Sequence, residues 1–311
     1  MIMPGQFASL SRLLDGVGRL VRLGRAPDAV AASAACDGCD LIRVASYNIH
    51  KAIGNDGTYD PARTIAVIAE IDADIIALQE ADRRLGDRKG RLDLATLERE
   101  TGLSLVPVAA RPTSHGWHGN ALLYRRGKVI RAERVHLPHA EPRGAVLAEF
   151  DIDGRPLRVV AAHLGLLSRT RRQQMERLRA YLEARQPMPT LLCGDFNEWR
   201  PGRANSPLER LSPLFSTTDA VPSFPSRRPV FPLDRIFGWP DGLVADFSVH
   251  DSPVARRASD HLPVKAVIDL RSTAELLEAP SAGLSRRERD AGGGQILDGE
   301  ADRLEHRYLL G

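Results

Sequence analysis

Apolar residues along this chain follow two alternating rhythms. Between Leu41 and Leu270, short continuous or β-branched apolar runs alternate with stretches where apolar residues recur every three to four positions. The first rhythm predicts strands over 42–49, 74–79, 120–124, 128–136, 145–152, 157–163, 190–193, 234–237, 243–249 and 264–270. The second predicts three helices: Pro61 to about Glu70, Arg91 to Thr101 with a stop at Gly102, and one from a Thr170/Gln173 capping box to Ala184. Turns at Arg126-Gly127 and Asp153-Gly154 join neighbouring strands as hairpins. Hairpin-linked strands beside helix-linked ones predict mixed sheets covered by helices, a layered α/β or α+β domain.

The two ends of the chain read differently. Phe7, Leu10, Leu13, Leu14, Val17, Leu20 and Val21 recur at helical spacing among Arg and Ser, so a short basic amphipathic helix is expected, then a linker over 26–40. That helix either packs on its own domain or lies on an anionic membrane surface. Arg19, Arg22 and Arg25 interrupt its apolar positions, so it is not read as a signal peptide. No apolar run reaches about 18 residues, and no membrane-spanning helix is expected. Residues 271–311 turn to Ser, Arg, Glu and Gly and read as a disordered tail. The expected organisation is a segment over 1–40, a domain over 41–270 and that tail. The protein is expected to be a cytoplasmic monomer, with the inner membrane face as a second location through the first segment.

Composition narrows the functional classes. The 311 residues are 43% hydrophobic, enough for a sizeable core, and only 5% aromatic, which argues against an aromatic-lined single-strand platform. A net charge of +3 excludes a strongly basic field. Its distribution matters more: residues 41–270 hold 33 basic and 28 acidic residues, a net of +5 that the ends mask. A phosphate-bearing ligand fits that balance. Cys36 and Cys39 have the spacing of half a zinc site, but the third cysteine, Cys193, lies in an apolar run, so a four-ligand metal site or redox pair is not expected.

Candidate chemistry sits where apolar strands end in polar residues, because strand ends line the rim of a sheet and are held rigidly. Asn48, Glu80 and His163 follow such runs, as do Asp195 and Asn197, while Asp260 and His261 precede the last one. Gly194-Asp195-Phe196-Asn197 puts two polar side chains on one face at period two. Together these residues supply carboxylates, amides and imidazoles, a hard-oxygen set suited to Mg²⁺ with acid–base partners. Displacement at phosphorus needs a positioned water, a base and donors for the phosphoryl oxygens, and this inventory provides them.

Seven short motifs occur in order: Tyr47-Asn48-Ile49, Leu78-Gln79-Glu80, Gly119-Asn120-Ala121-Leu122, His163-Leu164, Gly194-Asp195-Phe196-Asn197, Asp234-Arg235-Ile236 and Ser259-Asp260-His261-Leu262-Pro263. Over about 41–270 they resemble the endonuclease/exonuclease/phosphatase superfamily, which includes deoxyribonuclease I, AP endonucleases, inositol polyphosphate phosphatases and neutral sphingomyelinases. The resemblance implies a four-layer α/β sandwich with two facing mixed sheets and metal-dependent cleavage of phosphoester bonds. It assigns Glu80 and Asn48 to Mg²⁺, which Mn²⁺ can replace, with Asp260 as an auxiliary ligand. Asp195 would orient or deprotonate the attacking water, Asn197 would donate to the phosphoryl oxygens, and His163 would contact phosphate. His261 would contact the scissile phosphate with Asp234 holding its ring. Whether Asp195 or His261 takes the proton stays open.

The substrate is less legible. Arg235 stands where nucleases acting on abasic sites usually carry an aromatic residue. Ser223 to Phe237 instead resembles a small bacterial branch similar to proteins of lipid metabolism. Arg227, Arg228 and Arg235 are candidates for a second phosphate or a head group, and Asn120 for substrate contact. Arg169, Arg171 and Arg172 are either a nucleic-acid contact or the exposed start of a helix. The expected activity is a phosphodiesterase on nucleic acid or a phospholipid-type diester. A phosphomonoesterase on a head group or sugar is the alternative within enzymes, and an inactive phosphate-binding module the alternative outside them.

Overall fold

The computed structural model describes residues 41–271, apart from 139–141, 200–205, 213 and 216–219. They lie in the second of two compact units, Asp40–Gly311. The amphipathic stretch, Cys36, Cys39 and the tail fall outside the described residues. The elements, in order, are β1 (Leu41–Asn48), α1 (Pro61–Ile71), β2 (Ile75–Gln79), α2 (Leu94–Thr101), β3 (Ser104–Leu105), β4 (Ala121–Tyr124), β5 (Lys128–His136), β6 (Gly144–Ile152), β7 (Arg155–His163), α3 (Ser168–Glu183), β8 (Thr190–Asp195), β9 (Asp234–Trp239), β10 (Val244–Val249), α4 (Ala255–Ala258) and β11 (Val264–Asp269).

The strands form two mixed sheets, β10-β11-β1-β2-β4-β3 and β5-β6-β7-β8-β9. Period-two alternation decides what each face covers. Ile42 and Val44 of β1, Ile75 and Ala77 of β2, Val159 and Ala161 of β7, and Leu191 and Cys193 of β8 meet in one core between the sheets. The opposite faces build two outer cores. Ala45, Tyr47, Ile76 and Leu78 pack with Ile65, Ile68 and Leu97 of α1 and α2. Val160, Leu192 and Phe237 pack with Met175, Leu178 and Leu182 of α3. Three apolar layers between four structural ones give the expected α/β/β/α sandwich. No helix among the described residues is long and apolar enough to cross a membrane.

Local chemistry sets most element ends. The Asp60 side chain accepts from Arg63 N and Pro61 occupies the first turn, so α1 starts there. The Asp93 side chain caps α2, which therefore begins three residues after the expected Arg91, and Gly102 at φ +70° ends it. Asp153 and Gly154 both take left-handed φ, which fits the two-residue hairpin between β6 and β7.

The Thr170/Gln173 capping box does not form. Leu167 occupies the cap position without a side-chain bond, Thr170 is buried inside α3, and Gln174 accepts from Gly165 N at 2.9 Å. Arg171 is not an exposed helix start either. It is 4% exposed, donates to Gly165 O and Leu166 O, and pairs with the buried Glu198 at 3.2 Å. β3 and α4 are too short to leave a periodic signal in the sequence.

Candidate active site

The inner faces that carry apolar side chains along the strands turn polar at one end. Asn48 continues the row of Ile42 and Val44, His163 that of Val159 and Ala161, and Asp195 that of Leu191 and Cys193. Register then aligns them. His163 pairs with Asp195 across the parallel β7/β8 ladder, and Asp195 with Asp234 across the antiparallel β8/β9 ladder. On the facing sheet Asn48 pairs with Gln79, which puts Glu80 one residue beyond the ladder.

Asp195 is the centre of this end. Its Oδ2 lies 3.0 Å from Asn48 Nδ2, 3.4 Å from His163 Nε2 and 3.7 Å from His261 Nε2. Its Oδ1 accepts from Asn197 N at 2.9 Å. One Asn197 amide hydrogen is committed to Leu164 O at 3.0 Å, and a second remains, since a primary amide carries two. His261 Nδ1 and Asp234 Oδ2 are 2.8 Å apart, and the Ser223 hydroxyl donates to that same Oδ2 at 2.6 Å. The Ser259 hydroxyl donates to Asn48 O at 2.7 Å and accepts from His261 N, tying the His261 loop to the end of β1. All of these side chains are at most 5% exposed.

Burial and charge push the titrations apart. Burial raises the Asp195 carboxyl to about 6, although His261 opposes the shift. Burial would lower His261, but Asp234 and Asp195 outweigh it and raise the imidazolium to about 10. His163 moves the other way: burial, with Arg143, His261, Lys51 and Arg84 around it, holds it well below its ordinary value. At neutral pH the site therefore presents a carboxylate at Asp195, a cationic His261 and a neutral His163.

Backbone strain marks the same place. Glu80 at φ +55° and Asn197 at φ +50° are left-handed, as are His50, Lys51 and Ala52 in the turn after β1. Such conformations cost of order 1–3 kcal/mol each and persist where the surroundings impose them. That turn brings the Lys51 ammonium onto the Glu80 carboxylate as an ion pair.

A divalent ion fits this donor set. Glu80 already holds a cation in Lys51, Asn48 supplies an amide oxygen, and the carboxylate and carbonyl ligands are of the kind Mg²⁺ takes. Asp260, half-buried and 3.8 Å from His50, stands near the same turn. Asp195, Asp234 and His261 also bring ligand atoms within 4.8 Å of one another, but the Asp234–His261 hydrogen bond already commits the Nδ1 of that ring. The thiol of Cys193 is buried in the inter-sheet core and pushed up to about 12, so it is no ligand.

The expected substrate residues scatter. Asn120 is fully buried, with its amide nitrogen donating to Trp117 O and Gly144 O, so both of its donors are committed to backbone. Arg235 is 3% exposed, because it alternates with Asp234 onto the outer face of β9 beside Phe237, away from the inner row. Arg227 is turned onto Asn55 O, in a separate pocket with Arg256 and Arg257, and Arg228 is exposed. Three groups of neighbours were not among the site residues expected from the sequence. Ser223 opens the stretch that carries the finer resemblance, but its bond to Asp234, 11 residues on, was not signalled. Lys51, Arg84, Arg88 and Arg143 surround Glu80 and His163, and the dense basic run Arg83-Arg84…Arg88-Lys89 after Glu80 could have revealed part of that cluster. Trp199, Phe224 and Phe231 stack edge to face beside His261, with Phe224 4.8 Å from its ring.

The likeness to other proteins follows the same span. The chain is 34% identical over 170 residues to the uncharacterized protein YbhP of Escherichia coli, a match covering 50% of this chain and 64% of that protein, so the chain spans just under two thirds of these relatives. Among solved structures it resembles an endonuclease/exonuclease/phosphatase from Beutenbergia cavernae (TM-score 0.55, 23% identity, 74% of this chain and 72% of that one). It also resembles a mannosyl-6-phosphatase from Bacteroides thetaiotaomicron (0.54, 18%, 73% and 99%) and a truncated TDP2 from Caenorhabditis elegans (0.51, 15%, 74% and 97%). These likenesses show the fold. The model of the endonuclease/exonuclease/phosphatase family matches residues 45–261, from inside β1 to His261 itself, and the chain belongs to that family.

Proposed function

We propose that the protein is a Mg²⁺-dependent phosphodiesterase that attacks phosphorus in line with a water molecule. The observation that carries this reading is the convergence on Asp195: a buried carboxylate within 3.0–3.7 Å of an amide and two imidazoles held in opposite charge states. Asp195 is the base for the water, since it is ionised at neutral pH yet its carboxyl sits near 6, close enough to accept a proton. His261, kept cationic by Asp234, donates from Nε2 to the phosphoryl oxygens. Asn197 adds its second amide hydrogen, and neutral His163 offers a further polar contact. Mg²⁺, held by Glu80 and Asn48 with Asp260 in support, would neutralise charge on the phosphate.

A diester rather than a monoester is favoured by what flanks the site. An aromatic rim of Trp199, Phe224 and Phe231 lies on the His261 side, and a basic cavity lies on the Glu80 side. Each ester arm thus has a surface of its own. The test is a Mg²⁺-supplemented panel of duplex DNA, abasic DNA, RNA, phospholipids, inositol phosphates and a sugar phosphate. Release of the diester products alone supports this reading, and turnover confined to monoesters would replace it with a phosphatase.

A further inference from the structure

Eight large hydrophobic side chains are exposed among the described residues. Exposed apolar residues scattered singly are ordinary, but these are gathered in one place. β1 and β2 run parallel, as do β7 and β8, and β9 runs antiparallel to β8. The ends of β1, β2, β7 and β8 and the start of β9 therefore share one end of the sandwich, where Asn48 meets Asp195. Tyr59 follows β1, Leu85 follows β2, Leu166 and Leu167 follow β7, and Trp199 follows β8. Val230 and Phe231 precede β9. The eighth, Ile130, lies on the edge strand β5.

Two of these loops are small hairpins held by backbone bonds. Asp82 bridges Gly90, Arg83 N donates to Lys89 O at 3.0 Å, and Leu85 stands near the tip at 81% exposure. Phe224 bridges Phe231, Phe231 N donates to Phe224 O at 2.8 Å, and Val230 beside it is 54% exposed. The first hairpin follows Glu80 directly, and the second packs Phe224 on His261. β1 lies between β2 and β11, so the two hairpins flank the mouth of the site. The stretch after β7 joins the second hairpin. Arg171 donates to Leu166 O and to Glu198, Trp199 comes next in the chain, and its ring packs on Phe231.

Cations accompany each aliphatic tip. Arg83, Arg84 and Lys89 are exposed around Leu85, Arg169 follows Leu167, and Arg227 and Arg228 precede Val230. Among the described residues of these three stretches, the one exposed carboxylate is Asp87. A nucleic acid would use the cations and stack on Trp199 or Phe231, but it gains nothing from exposed Leu85, Leu167 and Val230. A bilayer uses both. Aliphatic and aromatic side chains enter the boundary between head groups and acyl chains, and the cations stay among the phosphates. We infer that this end of the sandwich docks on an anionic phospholipid surface, with the two hairpins as anchors and the mouth of the site turned to the bilayer. The inference stands on these loops and not on the phosphodiesterase reading.

Sedimentation of the full-length protein with vesicles of phosphatidylcholine and phosphatidylglycerol in equal parts tests this. Pelleting is expected with the mixed vesicles, and an affinity at least tenfold lower with phosphatidylcholine alone. Leu85→Asp/Val230→Asp should abolish pelleting. Lys89→Gln/Arg228→Gln should weaken it about thirtyfold, since each cation at an anionic surface contributes about a factor of five. All four positions are exposed, so circular dichroism should not change in either variant. Both variants keep residues 1–40, so pelleting equal to that of the unaltered protein in both would place the attachment elsewhere in the chain and overturn the inference. Absence of pelleting by the unaltered protein overturns it as well. Duplex DNA binding that is lost in Lys89→Gln/Arg228→Gln, without vesicle binding, would assign this end to nucleic acid instead. Vesicle binding without turnover of any phosphoester upholds the docking and contradicts the phosphodiesterase reading.

Discussion

His163 and His261 contact the same carboxylate oxygen and are driven in opposite directions. Pairs of titratable groups split by their surroundings are how one site holds a base and an acid at the same pH. The rate is therefore expected to rise as pH passes about 6, where Asp195 ionises, and to fall towards 10, where His261 loses its proton. A pH–rate profile checks this, and a flat profile from 5 to 10 removes both assignments. Asp234→Asn takes away the charge that holds the His261 proton, so the upper limb should move down towards the ordinary value and the rate should drop at least a hundredfold. Stability carries the same signature. The folded His261 pKa of about 10 exceeds the ordinary 6.5, so its contribution is complete below 6.5 and is lost as pH rises to 10. In EDTA, unfolding free energy should fall across that window by at most about 1.4 kcal/mol per pH unit, and His261→Gln should flatten the slope.

At the level of elements, β8 and the chain after it do most of the positioning. Gly194 has φ +147°, and a Cβ there would run into Ala162 O of the neighbouring strand. Glycine precedes Asp195 because β7 and β8 approach this closely where His163 and Asp195 meet. Gly194→Ala should lower the melting temperature by more than 5 °C or prevent folding, and a melting curve that does not move contradicts that role. Two residues after Asn197's neighbour Phe196, Glu198 pairs with Arg171 at the start of α3, both nearly inaccessible to water. Removing one partner of a buried pair costs about 3–5 kcal/mol, so Glu198→Ala should destabilise the fold by that order in a denaturant titration. Strands and helices were legible because apolar period marks them. The start of α3 was not, because Arg171 reads as a surface charge until Glu198, 27 residues on, is seen beside it.

Across the whole molecule, local signals (two rhythms, and hairpins mixed with crossovers) led as far as a layered α/β domain, and the four-layer sandwich followed from the resemblance carried by the seven motifs. The strand-end residues were legible for the same reason, since polar side chains ending apolar rows must lie at the rim. What could not be read was distance between segments. Arg84, His118 and Arg143 come from three loops that only the β2/β4 and β5/β6 registers bring to one cavity. Arg235 failed conversely: its motif pointed to substrate, and strand alternation sends it to the outer face. The +5 over 41–270 is likewise not an even field, since five of its cations gather at one cavity wall. The most direct measurement is hydrolysis of bis-p-nitrophenyl phosphate by the full-length protein, with Mg²⁺ or EDTA, for the unaltered chain and for Glu80→Ala and His261→Ala. Turnover that needs Mg²⁺, stops in EDTA and falls at least a hundredfold in either variant is expected. No turnover with any divalent ion, or equal rates in the variants, would contradict the assignment.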